Sequence, residues 1–301
     1  MDAAFLIVNG QCHNYCKYCF YNIDQCVRNF DSFNNKNIPH LIRFLRLNHV
    51  RELVLTGGDC LHKDYFDSTV DLIKKIKILY PISISLISSA PQLNKNNLKK
   101  LEGVGLDLMF ISIDSIDIEI NDFLRGYTKE TLNAINFISK SKIRYNGTIV
   151  ITSKSYKKVR ETYNYLKNNG ANEVVMQPVF ISDIKDKHNL GLKNISKSDF
   201  IELFKLIDNL MKKEGKKRYF DLLKQVYIKK KIMPMICFMG NEKIVIKPNG
   251  DITNCFHLDK KLGSIFNPIK IEKNKQKCSN FGEHCISIFA EKYYTDKKWK
   301  F

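Results

Sequence analysis

The chain reads as an α/β protein: a parallel sheet with helices outside, curled into a partial (β/α)6 barrel, followed by a small cysteine-stapled segment. Three observations predict this. Strand-like apolar runs alternate with helix-period segments six times between residues 1 and 215. A basic stretch, 216–236, then breaks the alternation and reads as a linker helix. Beyond it, in 237–301, cysteines bracket a hairpin pattern and mark a second, smaller domain.

The elements follow in order. Residues 5–8 are a short apolar run, and Pro39 opens a helical pattern to residue 49. Residues 52–56 predict a strand and 64–80 a helix; 82–87 and 94–102 repeat the pair. Strands at 106–113, 148–152 and 174–179 alternate with helices at 129–140, 156–169 and 199–213. Gly170 stops the helix before it as a C-terminal cap. Right-handed crossovers would curl such a sheet into a partial barrel. In 242–254, Ile244, Val245 and Ile246 form one arm of a hairpin, Asn249-Gly250 the turn, and Ile252 and Thr253 the other arm.

With 301 residues, 44% of them hydrophobic, the chain can bury a sizeable core. No apolar run approaches the roughly 18 residues that span a membrane. The start, Met1-Asp2-Ala3-Ala4, lacks the basic opening and cleavage site of a signal peptide. A cytoplasmic protein with no membrane association is expected. Its nine cysteines are clustered, and disulfides are disfavoured in that compartment, so metal binding or catalysis is the better reading. Lys and Arg exceed Asp and Glu by 49 − 31 = 18, which favours acidic partners: nucleic acid, an acidic peptide or a phosphorylated small molecule. Lysines spread along solvated helix faces account for the same number.

Cys12, Cys16 and Cys19 follow the first strand directly. Thiolates are the usual ligands of iron–sulfur clusters. Three from one short loop leave one iron of a four-iron cluster open, and an open iron can chelate a small molecule. Zinc is the alternative by spacing alone, although it usually takes four ligands.

The pattern Cys-x3-Cys-x-aromatic-Cys, with Tyr18 as the aromatic, resembles the signature of the radical S-adenosylmethionine (SAM) superfamily. The resemblance implies a [4Fe–4S] cluster whose open iron binds the amine and carboxylate of SAM. An electron from the cluster then cleaves SAM, and the 5′-deoxyadenosyl radical takes hydrogen from a substrate. Thr56-Gly57-Gly58-Asp59 resembles the family's Gly-Gly-Glu stretch, with Asp59 for Glu, and implies contact with the SAM amino group. Ser112, ending the fourth strand, and Arg125, before Gly126, are implied contacts of the SAM carboxylate. Ser112 also reads as a plain strand-end hydroxyl. Gln177 ends the sixth strand, where the family lines its adenine pocket; it could equally face substrate.

Cys237 and Cys255 bracket the hairpin, with Gly250 five residues before Cys255, and Cys278 and Cys285 follow. This order resembles the SPASM and twitch extensions of the same superfamily and implies one auxiliary [4Fe–4S] cluster. A zinc knuckle is the structural alternative, and His257 and His284 are bystanders or substitute ligands. Cys60 follows Asp59 on a loop expected at the substrate face, which makes it a candidate hydrogen-atom donor; its other reading is a small buried core residue. Cys26 competes for the donor role.

Relatives with such extensions act on ribosomally made peptides, sulfatases or aminoglycoside-type alcohols. The first expectation is therefore a ribosomally synthesised peptide, epimerised or crosslinked through thioether or carbon–carbon bonds. The basic residues 212–231 would hold an acidic leader, and flavodoxin or ferredoxin would supply electrons. A small-molecule dehydrogenase or epimerase is the second reading. A nucleic-acid-modifying enzyme is a third, without the interleaved aromatic and basic strands of an RNA-binding module. A non-catalytic scaffold would not need Gly57-Gly58 in register with the cysteines.

Overall fold

A computed structural model of the chain describes residues 1–19, 32–179, 186–214, 235–236, 239–240, 242–256, 260–272 and 277–278. The six expected β/α units are present. Strands β1 (Ala3–Ile7), β2 (Glu52–Thr56), β3 (Ser83–Ser88), β4 (Leu108–Ser112), β5 (Arg144–Ile151) and β6 (Val174–Pro178) pair in sequence order, each parallel to the next. Helices α1 (Ile38–Leu47), α2 (Phe66–Leu79), α3 (Lys95–Gly103), α4 (Ile118–Leu124), α5 (Thr128–Ile138), α6 (Val159–Asn168) and α7 (Lys197–Lys213) intervene or follow.

The helices form where side-chain spacing and caps favour them. In α1, Ile38, Leu41, Ile42 and Leu45 are buried at the i, i+3, i+4, i+7 spacing of one helix face, and Pro sits in the first turn. Each such burial contributes about 1.5–3 kcal/mol relative to exposure, so a charge at Leu41 or Leu45 would undock the helix. Asn94 caps α3 by accepting from the amides of Asn96 and Asn97, and Ser196 caps α7 by accepting from Asp199. Gly170, at φ +85°, ends α6 as expected.

Three features depart from the expected boundaries. Strand β5 starts four residues before the expected position, at Arg144. Its Gly147 permits the close approach of α6: a Cβ there would lie 2.6 Å from Leu166 Cδ1. Helix α4 was not expected; Asp117 caps it, and Asn121 and Leu124 are its buried residues. A further strand, β10 (Lys261–Ser264), follows the hairpin.

Two-residue strands β7 (Met235–Ile236) and β11 (Lys277–Cys278) pair antiparallel with each other. The hairpin itself is β8 (Lys243–Ile246) and β9 (Asp251–Thr253), turning at Gly250, whose φ is +86°. It continues the barrel sheet, because β8 pairs parallel with the free edge of β1, Ala3 opposite Lys243 and Leu6 opposite Ile246. The sheet therefore runs β10-β9-β8-β1-β2-β3-β4-β5-β6.

Alternation along the strands sorts residues to two faces. Ala4, Leu6, Leu53, Leu55, Ile244 and Ile246 join the helices in the main core. Ala3, Phe5, Ile7, Val54 and Val245 form a second cluster on the opposite face, with Met239 and Phe256 against it. No helix among the described residues is long and apolar enough to cross a membrane.

Candidate active site

The residues expected to hold the loop cluster and SAM sit at or beyond the carboxyl ends of the parallel strands, the end of such sheets where ligands bind. The loop after β1 carries Cys12, Cys16 and Cys19, and the turn after β2 lies against it. Gly57 has φ +143°, and a Cβ there would stand 2.4 Å from Asn9 O. A Cβ on Gly58 would stand 2.0 Å from Gln11 O. Only glycine allows this approach. Backbone bonds cross the contact: Gly58 N–H donates to Asn9 O at 2.8 Å and Asp59 N–H to Gln11 O at 2.7 Å.

Asp59 is the hub of this side. Its Oδ1 accepts from Ser88 Oγ at 2.6 Å and from Leu61 N at 3.0 Å. Oδ2 is buried without a hydrogen-bond partner. Burial pushes the carboxyl up, and the Ser88 and Leu61 bonds pull it back. An orphaned acceptor of this kind suits a cationic donor such as an ammonium group.

Arg125 is the hub of the other side. Its Nη1 donates to Tyr18 Oη and lies 3.4 Å from Asp114 Oδ1, and its Nη2 donates to Ser89 Oγ at 2.9 Å. Tyr18 Oη donates to Asp114 Oδ2. Asp114 Oδ1 also accepts from Val150 N at 2.9 Å. Burial pushes the Asp114 carboxyl up, while the neighbouring guanidinium pulls it down. Arg125 Nε is buried and unpartnered, a donor suited to a carboxylate.

Burial pushes the Cys12 thiol up to about 12, with the Asp59 charge adding to the effect. Cys16 is pushed up to about 11 by burial, and the Arg125 guanidinium pulls it back. Such thiols stay protonated until a metal cation replaces the proton. Among the described residues, no three His, Cys, Asp or Glu side chains form a group that could hold a single metal ion. A four-iron cubane does not need such a group, because each thiolate ligates a different iron. The soft donor set, the glycine contact and the orphaned buried atoms around the loop, Asp59 Oδ2 and Arg125 Nε among them, fit a cluster with a zwitterionic ligand on it.

The other expected residues are placed as follows. Ser112 ends β4, buried, opposite Thr148 of β5. Gln177, half-buried on β6, lies opposite Val150. Cys60 is fully buried in the main core, and burial pushes its thiol well up. That placement favours packing over hydrogen-atom donation to a substrate. Cys255 is half-buried two residues beyond β9, and Cys278 lies in β11. Cys26, Cys237, Cys285, His257 and His284, and the basic segment beyond Glu214 apart from β7, lie outside the described residues.

Sequence reasoning assigned no role to Ser88, Ser89 or Asp114, each a polar residue at the end of an apolar strand, which is the signal that was there to use. It also missed a stack of His13 on His62, ring centroids 4.0 Å apart, with His13 Nε2 2.8 Å from Gln92 Nε2. No local pattern announces that cluster.

A half-barrel of β/α units with a three-thiol loop and a glycine turn at its strand ends defines a class of α/β cluster enzymes. Residues 6–176 match the radical SAM superfamily, and the chain belongs to it. The family implies a [4Fe–4S] cluster and SAM as its cofactors. No curated protein sequence matches the chain. In fold the chain is similar to SuiB of Streptococcus suis, solved with S-adenosylmethionine, at 18% identity over 89% of this chain and 64% of that one, TM-score 0.65. It is similar to anSMEcpe with bound AdoMet at 21% identity over 88% and 78%, TM-score 0.64. Methylornithine synthase (PylB) shares the fold at 18% identity over 67% and 62%, TM-score 0.51. The chain thus spans just under two thirds of the SuiB chain.

Proposed function

We propose that the protein cleaves SAM reductively and uses the resulting radical to modify a peptide, by epimerisation or by forming a thioether or carbon–carbon crosslink. The observation that carries the cofactor half is a set of orphaned buried polar atoms around the cysteine loop, of which Asp59 Oδ2 and Arg125 Nε carry the charges that meet an ammonium and a carboxylate. The peptide half is supported by fold neighbours: SuiB has been solved bound to its precursor peptide SuiA, and anSMEcpe with a Cp18Cys peptide.

Bound to the loop, the cluster and SAM supply the electron and the carbon radical. The residues of the chain bind and orient. Cys12, Cys16 and Cys19 hold the cluster. Gly57 and Gly58 bring the β2 turn against the loop, and Asp59 accepts from the SAM ammonium. Arg125 donates to the carboxylate, with Tyr18 packed beside it and Ser112 at the neighbouring strand end. Gln177 lines the adenine or the substrate. Cys237, Cys255, Cys278 and Cys285 hold one auxiliary [4Fe–4S] cluster. Flavodoxin or ferredoxin serves as reductant.

Anaerobic reconstitution tests this reading. Wild type should hold about eight irons and, with dithionite, turn SAM into 5′-deoxyadenosine and methionine. Replacing all three loop cysteines with Ala should leave about four irons and no cleavage. Cys255→Ala should lose the auxiliary cluster and keep cleavage. Zinc in place of iron in anaerobically purified protein would overturn the cofactor half. For the peptide half, a short peptide encoded beside the gene is incubated with the loaded enzyme in deuterium oxide. Epimerisation places deuterium at the inverted carbon, crosslinking removes two hydrogens, and an unmodified peptide counts against the reading.

A further inference from the structure

The cysteine loop and the Arg125 turn are joined through three residues of the loop, Asn14, Lys17 and Tyr18. Lys17 N–H donates to Leu124 O at 3.0 Å, and Asn14 Nδ2 donates to Arg125 O at 3.0 Å. The Tyr18 hydroxyl bonds both Arg125 and Asp114, and the guanidinium lies over the Tyr18 ring, 5.8 Å from its centroid. Asp114 has no exposed side-chain surface, and the Val150 amide fixes it to β5. A guanidinium is planar, with its donors in a rigid fork. Once Tyr18 and Asp114 hold Nη1 and Ser89 holds Nη2, the direction of Nε–H is set. Every side-chain nitrogen of Arg125 then has a partner except Nε, which is buried.

We propose that Asp114 is a positioning residue: through Tyr18 it clamps the Arg125 guanidinium to the cysteine loop, so that Nε–H is held for the carboxylate of bound SAM. The inference rests on the reading of Arg125 as a SAM contact and adds what sets its aim. A ligand that bridges the loop cluster and Arg125 needs both at a fixed separation, and misplacement by about 1 Å is costly. Tyr18 belongs to the loop, and Asp114 sits just past the end of β4, so the clamp ties that separation to the sheet. The signature requires only an aromatic at position 18. The hydroxyl that completes the bridge is a feature of this chain; Phe would fill the same space without joining the two sides.

The test uses cluster-loaded protein, with SAM affinity by calorimetry and the electron paramagnetic resonance spectrum of the reduced cluster with and without SAM. Tyr18→Phe and Asp114→Asn are expected to keep the iron content and the SAM-free spectrum of wild type. Each should bind SAM about tenfold more weakly, the loss of one charge-assisted hydrogen bond, and shrink the SAM-induced spectral change. The double variant should be no weaker than Asp114→Asn alone, because both act through one clamp. Wild-type affinity in both single variants overturns the inference. Tighter binding by Asp114→Asn also overturns it, since that would make Asp114 a competitor for the guanidinium. If Asp114→Asn does not fold, Tyr18→Phe, which removes one atom, decides alone. Wild type that holds its cluster but binds no SAM would overturn the reading of Arg125 and this inference with it.

Discussion

Gly58→Ala should disable the site through the backbone alone. The new Cβ would meet Gln11 O at 2.0 Å and Gln11 C at 2.4 Å, both inside the 3.0 Å that Cβ contacts respect. The clashing atoms are main chain, so no side chain can swing aside. The Gln11 peptide must move, and Cys12 follows it in sequence. The shift strains two bonds across the contact, Gly58 N–H to Asn9 O and Asp59 N–H to Gln11 O. Overpacking costs about 1–3 kcal/mol, and two weakened backbone bonds add about 1 kcal/mol each. A loss of about 3–5 kcal/mol is expected, a large share of the about 5–15 kcal/mol that holds a typical domain folded. Urea unfolding of the metal-free protein measures it, and iron per chain after reconstitution measures the displacement of Cys12. A variant with wild-type midpoint and full iron content would refute the reasoning that the glycine turn and the cysteine loop form one packed unit.

Two further outcomes follow from burial and from capping. Cys60→Ala should lower stability by about 1 kcal/mol, the cost of deleting one buried heavy atom, and leave SAM cleavage and product formation unchanged; a variant that cleaves SAM but cannot return hydrogen to its substrate would make Cys60 the donor after all. Hydrogen bonds from Ser196 and Tyr156 hold the Asp199 carboxyl below its usual value. A depressed carboxyl stabilises above the ordinary carboxylate range and loses that effect as pH falls through its folded value. Asp199→Asn should therefore melt below wild type at neutral pH and together with it in acid; a gap that persists in acid would refute the assignment.

The alternation of strands and helices was legible because burial on a fixed period leaves a fixed pattern. The missing pieces lack that pattern. Helix α4 has seven residues, too few to show a period, and is set by its Asp117 cap. The start of β5 hides behind Asn146-Gly147, which reads as a turn until Leu166 is seen packed on the glycine. At the site, the cysteines and the Gly57–Gly58 turn were readable because each is a local motif. Their partners were not, because the bonds are long-range: Tyr18 to Asp114 spans 96 residues, Arg125 to Ser89 spans 36, and His13 to Gln92 spans 79. Local sequence carries no trace of such a pairing.

The register of the hairpin also bears on how the chain approaches Cys255 from the strand that feeds the Cys12 loop. Strand β8 runs parallel to β1, so the turn at Gly250 lies toward the end of β1 that feeds the Cys12 loop. Strand β9 then runs back, with Ile252 level with Ile246 and Thr253 level with Val245, which faces Phe5. Two residues further on comes Cys255, and its neighbour Phe256 packs edge-on against Phe5, ring centroids 5.4 Å apart. From Phe5 to Ile7 the strand alone advances about 7 Å, at about 3.3 Å per residue, before the cysteine loop begins. The register thus carries β9 away from the Cys12 loop as it runs toward Cys255.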